Sequence, residues 1–424
     1  MSETAPPALV DLDTQFVRSR FPAFSSGSLA DWSFFENAGG SYACGHTIDA
    51  LTRYYIETKV QPHGVYPASA TAGAQMDRSH QRWAEALGVE RAEVHFGPST
   101  SMNTYVLAQA ITGTLGPGDE VVVTNQDHEA NTGAIRRAAQ SAGATTVEWQ
   151  VDPDTGLLDQ EGLGALLSSR TRVVTFPHAS NIIGQENDVQ LLTAMAHEAG
   201  ARVIVDGVSF APHTFPHLPD LNPDVYLFSL YKTYSVHQGL MVVRNGWIDE
   251  LPNQGHFFNE SLLDKRLTPA GPDHGQIAAA GAVLDYLEEL AAHHSTQEMS
   301  LREAAEYVSA LWRRHETALL EPMLERMRRD DRLRILGPET TNAVPGLHRC
   351  PTVAIVPRDR HPADVAASLV AAGIMPGVGH FYAKRLVEAL GVDAASGTVR
   401  LSFVHYTSMA DVERMGDALE AALS

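Results

Sequence analysis

Apolar residues along the chain fall in short uninterrupted runs, separated by longer stretches in which they recur every three or four positions. "EVVVT" (120–124), "RVVTF" (172–176), "RVIVD" (202–206) and "VYLFS" (225–229) have the continuous β-branched and aromatic character of strands buried on both faces. Between them, "NTGAIRRAAQSAG" and "VQLLTAMAHEAG" carry helical periodicity, the second closing on Gly200 as a C-cap. Strand and helix alternating from about residue 31 to 285 predict an α/β domain with a mostly parallel sheet. "GQIAAAGAVLDYLEELAAHH" (275–294) reads as one long helix leaving that domain. Helices continue to about 330, then strands near "RLRIL", "TVAIV" and "VRLSFVHY" alternate with helices at "HPADVAASLVAAG", "YAKRLVEALG" and "MADVERMGDALEAAL". The expected organisation is an N-terminal arm with a short helix (1–30), a large α/β domain (31–289) and a smaller α+β domain (290–424).

Composition narrows the function classes. The 424 residues carry a formal charge of −20 and no basic stripe, which argues against a nucleic-acid surface. No run approaches ~18 uninterrupted apolar residues, so no membrane span is expected. The acidic start "MSETAPPALVDLD" lacks the apolar core of a signal peptide. Two cysteines, Cys44 and Cys350, make neither a disulfide framework nor a zinc site. A cytoplasmic enzyme or binding protein is the expectation.

In open α/β sheets, ligands gather at the carboxyl ends of the strands. Here those ends are polar. "EVVVT" leads to His128 and Asn131, "RVVTF" to His178 and Asn181, "RVIVD" ends on Asp206, and "VYLFS" ends on Ser229 before Tyr231 and Lys232. Only four lysines occur in the chain; Lys59 follows Glu57 at the end of a helical pattern, and Lys265 and Lys384 each adjoin an arginine. Lys232 instead follows the apolar run 225–230 between Tyr231 and Tyr234. Such a lysine either snorkels its head to water or is an amine made nucleophilic by burial.

An aspartate ending one buried strand and a lysine ending the next suit pyridoxal 5′-phosphate (PLP), which needs an amine for its Schiff base and an acid beside its ring nitrogen. Taken singly, Asp206 could be a turn or capping acid and His128 a helix cap rather than a ring-stacking group. "HFGPSTSMNTYVLAQAI" places Ser99, Thr100 and Ser101 where a helix begins, as caps or as an anion site. Neither GxxxxGK(S/T) nor a strand-borne GxGxxG is present, so nucleotide binding lacks its signature. His213 and His217 are four apart, but Pro216 breaks the helix that a metal pair would need, and no metal is expected.

"FFENAGGSYACGHTIDAL", "GDEVVVTNQDHEAN", "HASNIIGQEND", "VIVDGVSFAPH", "LFSLYK", "GHFYA" and "VRLSFVHYTS", in that order, resemble the class V aminotransferase family of fold-type I PLP enzymes, most closely its cysteine desulfurase-like branch. The resemblance implies an α/β fold-type I PLP-dependent transferase: a large domain with a mostly parallel seven-stranded sheet, a smaller C-terminal α+β domain, and a homodimer sharing its sites. By position it implies Lys232 as the Schiff-base lysine, His128 on the ring face and Asp206 at the ring nitrogen. It places Thr100, Ser101 and Ser229 at the phosphate, Asn181 near O3′ and the substrate carboxylate, and Arg400 on that carboxylate. A planar guanidinium does grip a carboxylate in two places, although Arg400 alone could equally be an exposed edge-strand charge.

Several positions depart from the family pattern. Tyr382 in "GHFYA" stands where group I desulfurases carry the nucleophilic cysteine, Ser209 where glutamine is common, and Tyr231 where histidine is usual. "AGPDH" replaces a Gly-Thr pair whose threonine reaches the neighbouring subunit's phosphate, making His274 its candidate substitute. His380 and Tyr382 are candidate substrate contacts, together with the loop "QPHGVYPAS". A phenol cannot carry a persulfide, so the expected reaction on an amino acid is C–S bond elimination. Transamination, epimerisation and a non-catalytic PLP-binding role are the alternatives.

Overall fold

A computed structural model describes residues 7–269 and 271–424. The first six residues of the expected arm and Ala270, at the head of "AGPDH", lie outside the described residues. In chain order the strands are β1 Ser33–Phe35, β2 Val94–Gly97, β3 Glu120–Thr124, β4 Thr145–Trp149, β5 Thr171–Pro177 and β6 Arg202–Asp206. They continue as β7 Val225–Ser229, β8 Gly239–Val243, β9 Leu333–Ile335, β10 Thr352–Pro357, β11 Ile374–Gly379 and β12 Thr398–Ser402.

Seven of these make a sheet in the order β2-β8-β7-β6-β5-β3-β4. From β7 to β4 every neighbouring pair is parallel, while β8 runs antiparallel to both β7 and β2. Crossover helices such as Glu129–Ala142 and Val189–Glu198 cover the parallel strands, so the middle residues of β3, β5, β6 and β7 are buried and mostly apolar, and polar residues fall mainly at the strand ends. The carboxyl ends of β6 and β7 therefore open at one edge of the sheet, where a buried chain must turn and can present polar groups.

The second sheet has the order β1-β11-β12-β10-β9. Its core includes Phe35, Leu319, Leu324, Val353, Ile355, Val399 and Leu401. Ser33–Phe35, assigned from sequence to residues 31–289, pairs in parallel with β11 and so belongs by hydrogen bonding to the C-terminal sheet. Its three residues carry no local signal of a partner some 340 positions away, which is why the pattern along the chain misplaces it. The N-terminal arm carries a helix at Thr14–Ser19, and Arg18 ties it to the Tyr406 carbonyl at 2.8 Å and to Asp411.

The expected single helix over 275–294 is two, His274–Ala280 and Ala282–His294. Side chains of the helix Pro67–Leu87 cause the break. Ser79 Oγ donates to the Ala278 carbonyl at 2.9 Å and accepts the Gly281 N–H at 3.0 Å, while Trp83 Nε1 donates to the Ala280 carbonyl at 3.0 Å. Taking those carbonyls out of the i→i−4 ladder separates the two helices.

Candidate active site

A cavity of about 440 Å³ opens at the carboxyl ends of β6 and β7, within the range of about 300–1,000 Å³ usual for small-molecule sites. Thr100, Ser101, His128, Asn181, Asp206, Ser209, Ser229, Tyr231, Lys232 and Tyr382, ten of the residues singled out from sequence, line it. Three others do not. Arg400 lies behind the wall, His380 sits beside the loop tip, and His274 is the first residue of a helix capped by Asp273, outside this cavity. His178 also turns away, into the core, stacking on Phe210 at 3.5 Å and bonding the Tyr226 hydroxyl at 2.8 Å through Nδ1.

Lys232 sits in the turn joining β7 to β8. Its N–H donates to the Ser229 carbonyl at 3.0 Å, and its own carbonyl accepts Ser41 Oγ at 2.8 Å, so the N-terminal loop clamps the turn. Tyr234 completes the turn at φ 64°, a left-handed conformation that a tyrosine adopts here with its ring fully buried and its hydroxyl on the Pro212 carbonyl. Burial, then the positive charge of Arg400, push the Lys232 amine down to about 8, against the pull of Asp206 and Glu36. A larger share of the amine is neutral, and hence nucleophilic, near neutral pH than in an ordinary lysine.

Asp206 ends β6 with Oδ1 accepting the Val208 N–H at 2.8 Å. Burial pushes it up to about 6, opposed by that hydrogen bond and by Lys232. Asp127 sits close enough that the Asp206 charge, added to burial, raises it well above the carboxylate range. A carboxylate left this short of counter-charge suits a cationic ring nitrogen. His128 is at once a helix cap and a pocket wall. Its Nδ1 accepts the Ala130 N–H at 3.0 Å, and burial followed by the charges of Lys232 and Arg400 pushes it down to about 3, keeping the ring neutral. Its ring lies 5.3 Å from that of Tyr382.

The anion end is built by the helix Thr100–Thr112. Ser99 Oγ caps the Met102 N–H at 3.2 Å, while Thr100 Oγ1 is buried without a hydrogen-bond partner. The free N–H groups of a helix start and an orphaned hydroxyl are what a phosphate would satisfy. Gly239 is required behind them: a Cβ there would overlap the Ser99 carbonyl carbon and the Thr100 nitrogen. The donors, the acid and the amine thus fit PLP.

Sequence reading passed over Asp127, His237 and Glu36. Asp127 directly precedes His128. His237 lies in the same turn as Lys232 and stacks on Tyr231 at 4.9 Å. Glu36, in "FFENAGG", holds Arg400 Nη2 at 2.7 Å, across 364 residues of chain. A charged residue between two phenylalanines and a Gly-Gly turn was the available signal.

Similarity to solved structures is strongest in shape. A cysteine desulfurase from Thermococcus onnurineus NA1 superposes with a TM-score of 0.83 at 23% identity, covering 100% of this chain and 99% of that one. The cysteine desulfurase CsdA of Escherichia coli gives 0.81 at 21% identity over 98% of this chain and 99% of its own. These likenesses establish the fold of fold-type I PLP enzymes. In sequence, the aminotransferase class-V profile matches residues 33–415. Aminotransferase-like protein FGM3 of Gibberella zeae is 32% identical over 96% of this chain and 98% of its own length. A cysteine desulfurase of Haloferax volcanii is 29% identical over 92% and 89% respectively. The chain belongs to the class V aminotransferase family, and it is a PLP-dependent enzyme with cysteine desulfurase-like relatives.

Proposed function

We propose that the protein acts on an α-amino acid and cleaves a C–S bond by β-elimination, releasing sulfide or a thiol without a protein persulfide. The observation that carries this reading is Tyr382. It occupies the loop tip over His128, 69% exposed, where a sulfur-accepting thiol would have to stand. The chain's own thiols are elsewhere. Cys44 is buried against Thr47, and Cys350 lies 4.0 Å from Glu186; burial pushes both thiols up, away from the reactive thiolate.

Lys232, Asp206, His128, Asn181, Ser209 and Tyr231 would hold the coenzyme's ring and aldehyde, and Thr100, Ser101 and Ser229 its phosphate. Bound there, PLP supplies an electron sink for the carbanion at the substrate's α-carbon. Arg400 takes the substrate carboxylate, with Asn181 beside it. Lys232 Nζ, tuned toward neutral pH, accepts the α-proton. Tyr382 faces the side chain, with His380 next to it at the rim rather than in the cavity, and the neutral His128 ring excludes water from one side of the pocket. On L-cysteine and water the balanced products are pyruvate, ammonia and hydrogen sulfide.

The likeness to an aminotransferase-like protein favours amino-group transfer as the second reading. In either reading the working unit is a homodimer in which His274, outside its own protomer's cavity, completes the partner's phosphate site. No described helix is long and apolar enough to cross a membrane. Mass-spectrometric product analysis after incubating the PLP-loaded protein with L-cysteine and a reductant tests the reaction. Pyruvate with sulfide supports elimination, and alanine contradicts it. Formation of a keto acid only when a second keto acid is supplied establishes transfer instead.

A further inference from the structure

We propose that Glu36 is an internal competitor for Arg400, occupying the place of a substrate carboxylate until one binds, and that it thereby sets how strongly the enzyme selects carboxylate-bearing substrates. The inference rests on Arg400 being the substrate-carboxylate group.

Arg400 is 2% exposed and its contacts are already taken. Nη1 donates to the Asn181 carbonyl at 3.1 Å, Nη2 to Glu36 Oε1 at 2.7 Å, and the Phe381 ring lies 3.8 Å from the guanidinium carbon. An incoming carboxylate finds no open fork. The pair is nevertheless poorly satisfied. Arg400 Nε and Glu36 Oε2 are both buried without hydrogen-bond partners, so Glu36 holds one prong where a carboxylate can take two. Burial pushes Glu36 above the ordinary carboxylate range despite Arg400 beside it, with Lys232 as the other positive charge acting on it. Desolvation outweighs attraction, the condition under which a buried pair yields to a better-matched partner.

The two sides of the pair differ in freedom. The Glu36 side chain is 27% exposed against 2% for Arg400, so the carboxylate has somewhere to go and the guanidinium does not. A Cβ at Gly39, which lines the cavity, would meet Glu36 Oε1, placing that carboxylate directly behind the cavity wall. The cover over Arg400 is also strained: Phe381 and Tyr382 are consecutive non-glycine residues at φ 48° and 59°. Displacing Glu36 frees the Nε/Nη2 edge for bidentate contact. A ligand lacking a carboxylate has nothing to offer Arg400 in exchange.

The test uses the PLP-loaded enzyme and two amines that consume the lysine-bound coenzyme and bleach its visible absorption: aminooxyacetate, with a carboxylate, and O-methylhydroxylamine, without one. The ratio of their second-order rate constants isolates the carboxylate's contribution and cancels general damage to the site. Glu36→Gln, which weakens the competitor but keeps its shape, is expected to raise that ratio about tenfold. Glu36→Asp, shorter by one methylene, is expected to raise it less and serves if the glutamine variant does not fold. Propionate, carrying only the carboxylate, should slow O-methylhydroxylamine at lower concentration in Glu36→Gln than in the parent enzyme. A ratio unchanged or lowered by both Glu36 variants, while Arg400→Lys collapses it, overturns the competition and leaves Arg400 as the carboxylate group. A ratio indifferent to Arg400→Lys as well removes the reading on which the inference stands.

Discussion

The two sheets meet the cavity in opposite states of completion. The seven-stranded sheet brings groups whose demands are unmet. Thr100 Oγ1 is an orphan, Asp206 is pushed up to about 6, and Lys232 is pushed down to about 8. The five-stranded sheet brings Arg400 with a carboxylate already on it. A coenzyme that stays bound for many turnovers can be awaited by an open site, because the stability given up in the empty protein is recovered on loading. On the proposed reading, a substrate that comes and goes would instead meet an exchange, in which Glu36 bears the charge on Arg400 between turnovers.

The largest effect should come from the closed side. Arg400→Ala is expected to lower kcat/KM for an α-amino acid about 100-fold or more, mostly through KM, and to lower the melting temperature because Glu36 loses its counter-charge. Steady-state kinetics with thermal unfolding checks both. A melting temperature that stays constant would mean that the pair contributes nothing when the site is empty.

Asp206→Asn should produce two effects of opposite sign. Coenzyme affinity should fall about 10- to 100-fold, since the ring nitrogen loses its acid. The apoprotein should gain stability at pH 8, on the order of 1–3 kcal/mol, since the burial penalty on the charged carboxyl disappears. The folded-state value of about 6 lies above the unfolded one, so the stability of the protonated form is present at low pH and lost as pH rises through 6. The gain from Asn should therefore vanish near pH 4. Denaturant unfolding of the apoprotein at the two pH values, beside a coenzyme titration, measures all three.

A pH profile tests the open side more gently. Capture of PLP by the apoprotein should accelerate as pH rises, with a midpoint near 8 rather than near the 10.5 of an ordinary lysine. Stopped-flow absorbance reads it. The smallest effect is expected at the loop tip: Tyr382→Phe should change kcat/KM less than about threefold, as the ring closes the pocket beside His128 and is largely exposed. A far greater loss would make the phenol hydroxyl a participant in the chemistry.

The open side was legible in the sequence and the closed side was not, for a physical reason. Asp206, Ser229 and Lys232 follow apolar runs whose burial is written in consecutive residues, so their place at strand ends could be read locally. Glu36 and Arg400 meet across 364 residues, and β1 joins β11 across a comparable span; no local pattern encodes either pairing. Arg400 was placed by resemblance alone, which gave its residue type but not its resident partner. β8 was missed for a related reason. "GLMVV" is as apolar as the strands before it, but its antiparallel return from the Lys232 turn breaks the strand–helix alternation on which the reading relied. The break at Gly281 arises from Ser79 and Trp83 on another helix, again beyond local reach.

The most direct test of the account is to load the protein with PLP, reduce it with borohydride, digest it and locate the pyridoxyl mark by mass spectrometry. Lys59, Lys232, Lys265 and Lys384 are the lysine positions in the chain. The account predicts the mark on Lys232 alone, in a single peptide, lost in Lys232→Ala. A mark spread over the other three, or none on Lys232, would contradict it.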